Sequence, residues 1–159
     1  MDTITELAAR VGQALKARNL LLATAESCTG GGVAQAITDI AGSSEWFDCG
    51  FVTYSNASKH ELLDIAEALI AQHGAVSEEI AGAMAEAAVA NSDSSIAVAT
   101  TGIAGPGGAV PGKPVGTVCF GWRIGDQTFT ERHVFSGDRL SVREQSVRHA
   151  LQGLLKLLT

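Results

Sequence analysis

Three features of the sequence predict an α/β fold with helices on both faces of a mixed sheet. Short apolar runs at 20–25, 51–54 and 95–100 have strand length, and stretches with apolar residues at helical spacing separate them. Two further runs, 115–124 and 128–135, flank Gly125-Asp126, a two-residue hairpin signal, so one pairing is expected to be antiparallel. Aromatic residues make up 5% of the chain against 46% hydrophobic residues, so the core is built mainly from Ala, Val, Ile and Leu.

Residues 3–18 carry Ile4, Leu7, Val11 and Leu15 on one helical face, with Asn19 as a stop. Leu20 to Ala25 suits a buried strand. Glu26-Ser27-Cys28-Thr29-Gly30-Gly31-Gly32 then forms a tight glycine-rich turn into a helix marked by Val33, Ala36, Ile37 and Ile40. Ala41-Gly42-Ser43-Ser44 breaks that helix, and Phe51 to Tyr54 is the next strand. Asn56 or Ser58 caps a helix containing Lys59, Leu62 and Leu63. Glu67 to Gln72 is a short helical piece ended by His73-Gly74. Ser77-Glu78-Glu79 starts an Ala-rich helix running to Ala90: a serine cap with acids in the first turn. Ser95 to Thr100 is a strand that enters a Gly/Pro-rich loop, Thr101 to Pro114. After the hairpin, Ser136-Gly137-Asp138 leads into a final helix with Leu140, Val147, Leu151 and Leu154 on one side. No repeat or linker interrupts the chain, and residues 1–159 are expected to form one domain.

Composition narrows the function. The net charge is −6 and the eleven Lys and Arg residues are scattered. Polymeric nucleic acid, which demands a clustered basic face, is not an expected partner. Cys28, Cys49 and Cys119 are odd in number with no CxxC pair, which fits a reducing compartment. The first 18 residues are interrupted by charges, and no run of about 18 apolar residues occurs, so neither a signal peptide nor a membrane span is expected. The expected location is the cytoplasm. His60, His73, His133 and His149 are far apart in sequence and show no metal-binding spacing, so no metal site is predicted.

Ligands of open α/β sheets bind beyond the carboxyl ends of strands. Three segments have that position: 26–32, 54–59 and 101–108. In the first, unpaired N–H groups at a helix start suit a phosphate or an oxyanion, with Ser27 and Thr29 adding hydroxyls to Gly30 and Gly31. In the third, Thr101, Gly102 and Gly105 belong to a loop whose glycines let backbone approach a ligand closely. The middle segment holds the reactive groups. A desolvated Lys59 could deprotonate a serine, with Tyr54 orienting it or relaying a proton. On spacing alone, however, Lys59 fits a solvated helix residue and Ser44 a turn residue. Cys28 beside a helix start is a thiolate candidate, though a small buried residue fits it better. Arg139, at the start of the last helix, could contact a phosphate.

These segments together resemble the C-terminal domain of the CinA family. The resemblance rests on Ala25-Glu26-Ser27-Cys28-Thr29-Gly30-Gly31, on residues 39–44, 50–56, 74–77, 101–108 and 113–118, and on Phe135-Ser136-Gly137-Asp138-Arg139. Their order and spacing cover nearly the whole chain. The resemblance implies a three-layer α/β/α sandwich with a mixed, mostly parallel sheet. It further implies an amidohydrolase that converts nicotinamide mononucleotide to nicotinic acid mononucleotide and ammonia without a cofactor. Its catalytic group looks like a Ser–Lys dyad with a nearby Tyr, which by motif position would be Ser44, Lys59 and Tyr54; Ser27 is also a signature serine, and the choice between the two serines stays open. Ser27, Thr29, Gly30, Gly31, Thr101, Gly102, Gly105 and Arg139 are the expected substrate-binding residues, with phosphate and oxyanion sites not assigned between the two glycine loops. The resemblance alone implies a homodimer. Longer family members carry an extra N-terminal domain that this chain starts too late to include. The alternative is a non-catalytic module that binds a nucleotide phosphate.

Overall fold

The computed structural model describes all residues from Met1 to Thr159. Helix α1 (Ile4–Ala17) leads into strand β1 (Leu22–Glu26) and helix α2 (Gly32–Thr38). A 3-10 turn at Ser43–Glu45 precedes β2 (Phe47–Val52). Helices α3 (Asn56–Leu63), α4 (Glu67–His73) and α5 (Glu78–Ala90) follow, then β3 (Ile96–Gly102), β4 (Thr117–Ile124), β5 (Gln127–Val134) and α6 (Arg139–Leu158). The five strands form one sheet in the order β2-β1-β3-β4-β5.

The sheet is mixed. β1 pairs in parallel with β2 and β3, whereas β3–β4 and β4–β5 are antiparallel. Four of the five strands therefore run one way, while the pairings divide evenly. The hairpin turns at Gly125-Asp126, where Ile124 opposes Gln127 and Gly125 has φ +56°. β2 begins four residues earlier than its apolar run suggested. Its residues alternate between partly buried and exposed, so Asp48 and Gly50 sit on an edge strand without needing to be apolar.

Each sheet face carries its own core. Leu22, Ile96, Val98, Val118, Phe120 and Trp122 meet α1, α2 and α6. On the other face, Ala23, Ala25, Ala97 and Ala99 meet Ile80, Met84 and Ala85 of α5, together with Leu63 and Ile70. These small residues bring α5 almost onto the sheet. At Gly121 an added Cβ would lie 2.3 Å from the Ala81 carbonyl oxygen. Ser77 caps α5 as expected, while Thr3 and Glu6 make a capping box on α1 and Asp138 caps α6. The cap of α3 is Ser55 rather than Asn56 or Ser58: Ser55 is the last extended residue and its hydroxyl accepts from Ser58 N–H, whereas Asn56 and Ser58 already lie in the helix. Leu140 lies on the exposed side of α6 at 62% exposure, unlike Val147, Leu151 and Leu154. No helix is long and apolar enough to cross a membrane.

Candidate active site

The parallel strands β1, β2 and β3 end together, and their last residues are laced by backbone hydrogen bonds. Ser27 N–H donates to the Thr100 carbonyl at 2.9 Å, and Thr53 N–H donates to the Glu26 carbonyl at 2.9 Å. Beyond these ends lies a cleft of about 190 Å³ lined by Ser27, Tyr54, Asn56, Lys59, Gly102 and Arg139, among others. All three segments expected from the sequence contribute to it.

Lys59 reaches it from α3. Ser55 caps α3 by accepting from Ser58 N–H, which turns Lys59 inward from the first turns of that helix. The side chain is 1% exposed. Its Nζ lies 3.1 Å from Ser27 Oγ, 2.7 Å from the Thr53 carbonyl oxygen and 3.5 Å from the Tyr54 carbonyl oxygen. Desolvation lowers its pKa from 10.5 to about 8. A neutral amine has two N–H donors and one lone pair. The two carbonyls match the donors, and the lone pair is left for the Ser27 hydroxyl proton.

Ser44 does not join this group. It is exposed in the turn before β2, whereas Lys59 follows β2. The six-residue strand places roughly 20 Å between the two ends of the sheet. Tyr54 meets Lys59 only through its backbone carbonyl; its phenol is 61% exposed and accepts from Arg139 Nη2 at 3.0 Å. A phenol turned toward Arg139 is not placed to orient the amine.

The glycine-rich turn also differs from expectation. The buried Glu26 carboxylate accepts from Val33 N–H at 2.8 Å and from Ala34 N–H at 3.1 Å, so α2 begins on an anion supplied by the chain itself. The Thr29 hydroxyl, 2% exposed, is bonded to Glu26 at 2.6 Å and to Thr100 at 2.7 Å. Thr29 is thus a structural strut, and Gly30 and Gly31 supply the left-handed turn at φ +60° and +102° rather than lining the cleft. The amides of Cys28 and Thr29 donate to no backbone oxygen.

The Cys28 thiol is 4% exposed, and burial together with the neighbouring Glu26 charge pushes its pKa up to about 12. It is a packed thiol, not a thiolate nucleophile. Thr101 donates its hydroxyl to the Ala75 carbonyl at 2.8 Å and holds the third segment against the start of α5. Arg139 reaches the cleft from α6 and donates to the Gly105 carbonyl at 2.8 Å. Sequence reasoning overlooked Glu26 as a cap, Asn56 in the cleft wall, and Arg143. The last donates from Nε to the Cys28 carbonyl at 3.1 Å. Its signal was the i, i+4 spacing from Arg139, which puts both on one face of α6.

Comparisons with known proteins agree with this architecture. The CinA C-terminal domain matches residues 4–158. The chain is 54% identical over 159 residues to a nicotinamide-nucleotide amidohydrolase PncC of Pseudomonas putida, covering 100% of this chain and 99% of that one. It is 51% identical over 152 residues to the protein of the same name from Escherichia coli K12, covering 95% and 92%. A crystal structure of a competence damage-inducible protein A from Klebsiella pneumoniae superposes with a TM-score of 0.96 at 41% identity, covering 99% of this chain and 98% of the other.

Proposed function

The chain belongs to the CinA C-terminal domain family, and from that premise we propose that it hydrolyses the carboxamide of nicotinamide mononucleotide, with Ser27 as nucleophile and Lys59 as base. The observation that carries the assignment of these two residues is the 3.1 Å contact between Lys59 Nζ and Ser27 Oγ inside a buried site, with only carbonyl oxygens as the amine's other partners. The substrate comes from the relatives, two of which bear the name nicotinamide-nucleotide amidohydrolase at 51–54% identity.

Neutral Lys59 takes the Ser27 hydroxyl proton as Oγ bonds to the carboxamide carbon. The free Cys28 and Thr29 amides are the nearest donors in sequence for the developing oxyanion. The amide of the residue after a nucleophile serves this purpose in other serine hydrolases, and one such donor is worth about 3 kcal/mol. The C–N bond breaks, protonated Lys59 returns its proton to the leaving group, and ammonia departs. A water, deprotonated by the same amine, then cleaves the acyl ester, releasing the nicotinate carboxylate and restoring Ser27. Arg139, held at the cleft mouth between Gly105 and Tyr54, is the cation we assign to the 5′-phosphate. The α2 start is not proposed for that task, because Glu26 occupies its amides.

Ammonia release from the mononucleotide by the purified chain tests this reading. Ser27→Ala and Lys59→Ala should each lose at least about a thousandfold in kcat. Ser44→Ala and Cys28→Ala should stay near the parent. Full activity in Ser27→Ala would remove the nucleophile; saturable substrate binding without ammonia in the parent would reduce the protein to a binding module.

A further inference from the structure

The histidines that lie far apart in sequence do not all stay apart in the fold. His133 on β5 and His149 on α6 bring their rings to a centroid distance of 4.1 Å, and Glu131, two residues before His133 on the same face of β5, points at both. Glu131 Oε1 is 3.1 Å from His133 Nε2 and 3.5 Å from His149 Nε2. One donor atom from each of the three lies within 4.8 Å of the others. His149 Nε2 is buried and has no hydrogen-bond partner, so a polar atom of this cluster is left aimed at its centre. The Glu131 and His133 side chains are 46% and 36% exposed, which leaves a path from solvent. The cluster lies on the α6 face of the edge strand, three strand positions from β1 and Ser27, and the amidase chemistry makes no use of it.

From this geometry we infer that Glu131, His133 and His149 form a binding site for a divalent transition-metal ion of the zinc type, with one position left to water. Two imidazoles and one carboxylate are a donor set that borderline ions favour over calcium or magnesium. Tetrahedral zinc holds its nitrogen and oxygen donors about 3.3 Å from each other, given metal–ligand lengths of about 2.0–2.1 Å. The two carboxylate–imidazole separations, 3.1 and 3.5 Å, bracket that value, and the donor atoms of the two rings lie within 4.8 Å of each other, so closing the rings onto the carboxylate admits the ion. Bound there, the ion ties the outer edge of the sheet to α6, the helix that carries Arg139 and Arg143 to the cleft. The ion binds and stabilises there and takes no part in turnover.

Titration of the metal-free full chain with zinc chloride, followed by calorimetry and by thermal unfolding, tests the site. One saturable ion per chain and a rise in Tm with zinc are expected. Glu131→Gln and His133→Gln lie at an exposed edge and should fold as the parent does by circular dichroism. Each should weaken zinc binding at least about tenfold and lose the Tm rise. Cobalt(II) in place of zinc should give visible d–d absorption without a thiolate charge-transfer band, which separates this site from adventitious uptake by the free thiols. No saturable zinc uptake by the parent, or uptake unchanged in both variants, overturns the assignment.

Discussion

At the scale of single residues, the proposed chemistry rests on one lysine. An ammonium in water holds its proton too firmly to serve as a base near neutral pH. Lys59 is freed from that constraint by burial alone, since no carboxylate stands beside it and its partners are two carbonyls and a serine. With a pKa of about 8, its neutral fraction grows as pH rises through that value. The kcat/KM for ammonia release should therefore climb with a single ionisation and level off above pH about 8. A profile that stays flat from about pH 6 to pH 10 would show that the amine is not the base. Lys59 and Cys28 respond to the same burial with opposite consequences. Desolvation disfavours the charged form of each, which makes the amine reactive and the thiol inert.

At the scale of elements, the joint between β1 and α2 positions Ser27. The Ser27 turn is held from below by Glu26, whose carboxylate binds the first amides of α2 and the Thr29 hydroxyl together. Glu26→Ala would strand those donors in a buried place. It should cost about 2–3 kcal/mol in denaturant unfolding, whereas Glu26→Gln, which keeps an acceptor oxygen, should cost less. Equal losses in the two variants would mean that the carboxylate does not act as the helix cap. β2 shows where element-level reading of a sequence falls short. As an edge strand it has one hydrogen-bonded neighbour and alternating exposure, so Asp48 and Gly50 give it no apolar run to detect. That Ser44, grouped with Lys59 by motif position, lies far from it in the structure has a related cause. A serine between a helix break and a strand looks like a site residue until the strand's direction is known, and that direction sends it to the opposite end of the sheet.

For the whole molecule, the buried Lys59 ties stability to pH. The folded pKa of about 8 lies below the unfolded 10.5, so the unfolded chain binds more protons between those values and stability rises with pH there. Below pH about 8 the amine is protonated in both states and the folded state carries the full cost of burying its charge. The difference between the two pKa values corresponds to about 3 kcal/mol. Unfolding free energies of the parent and Lys59→Met, measured in parallel from pH 7 to pH about 10.5, should diverge by that amount in the parent's favour. Parallel curves would mean that the folded lysine titrates like a free one. A cleft of about 190 Å³ between the ends of three strands and the start of α6 opens beside this desolvated amine.

The amino-acid sequence by itself determined the helix and strand order, the hairpin, the cap at Ser77, and the three segments that line the cleft. These depend on local periodicity, turn chemistry and capping, which neighbouring residues encode. Which serine meets Lys59, that Glu26 rather than a ligand fills the start of α2, and that His133 and His149 share one carboxylate were decided only by the tertiary structure. The serine and histidine contacts cross between elements distant in sequence, and their distances depend on strand order and direction; the Glu26 contact depends on how the turn folds its carboxylate back onto α2, and no local periodicity contains either.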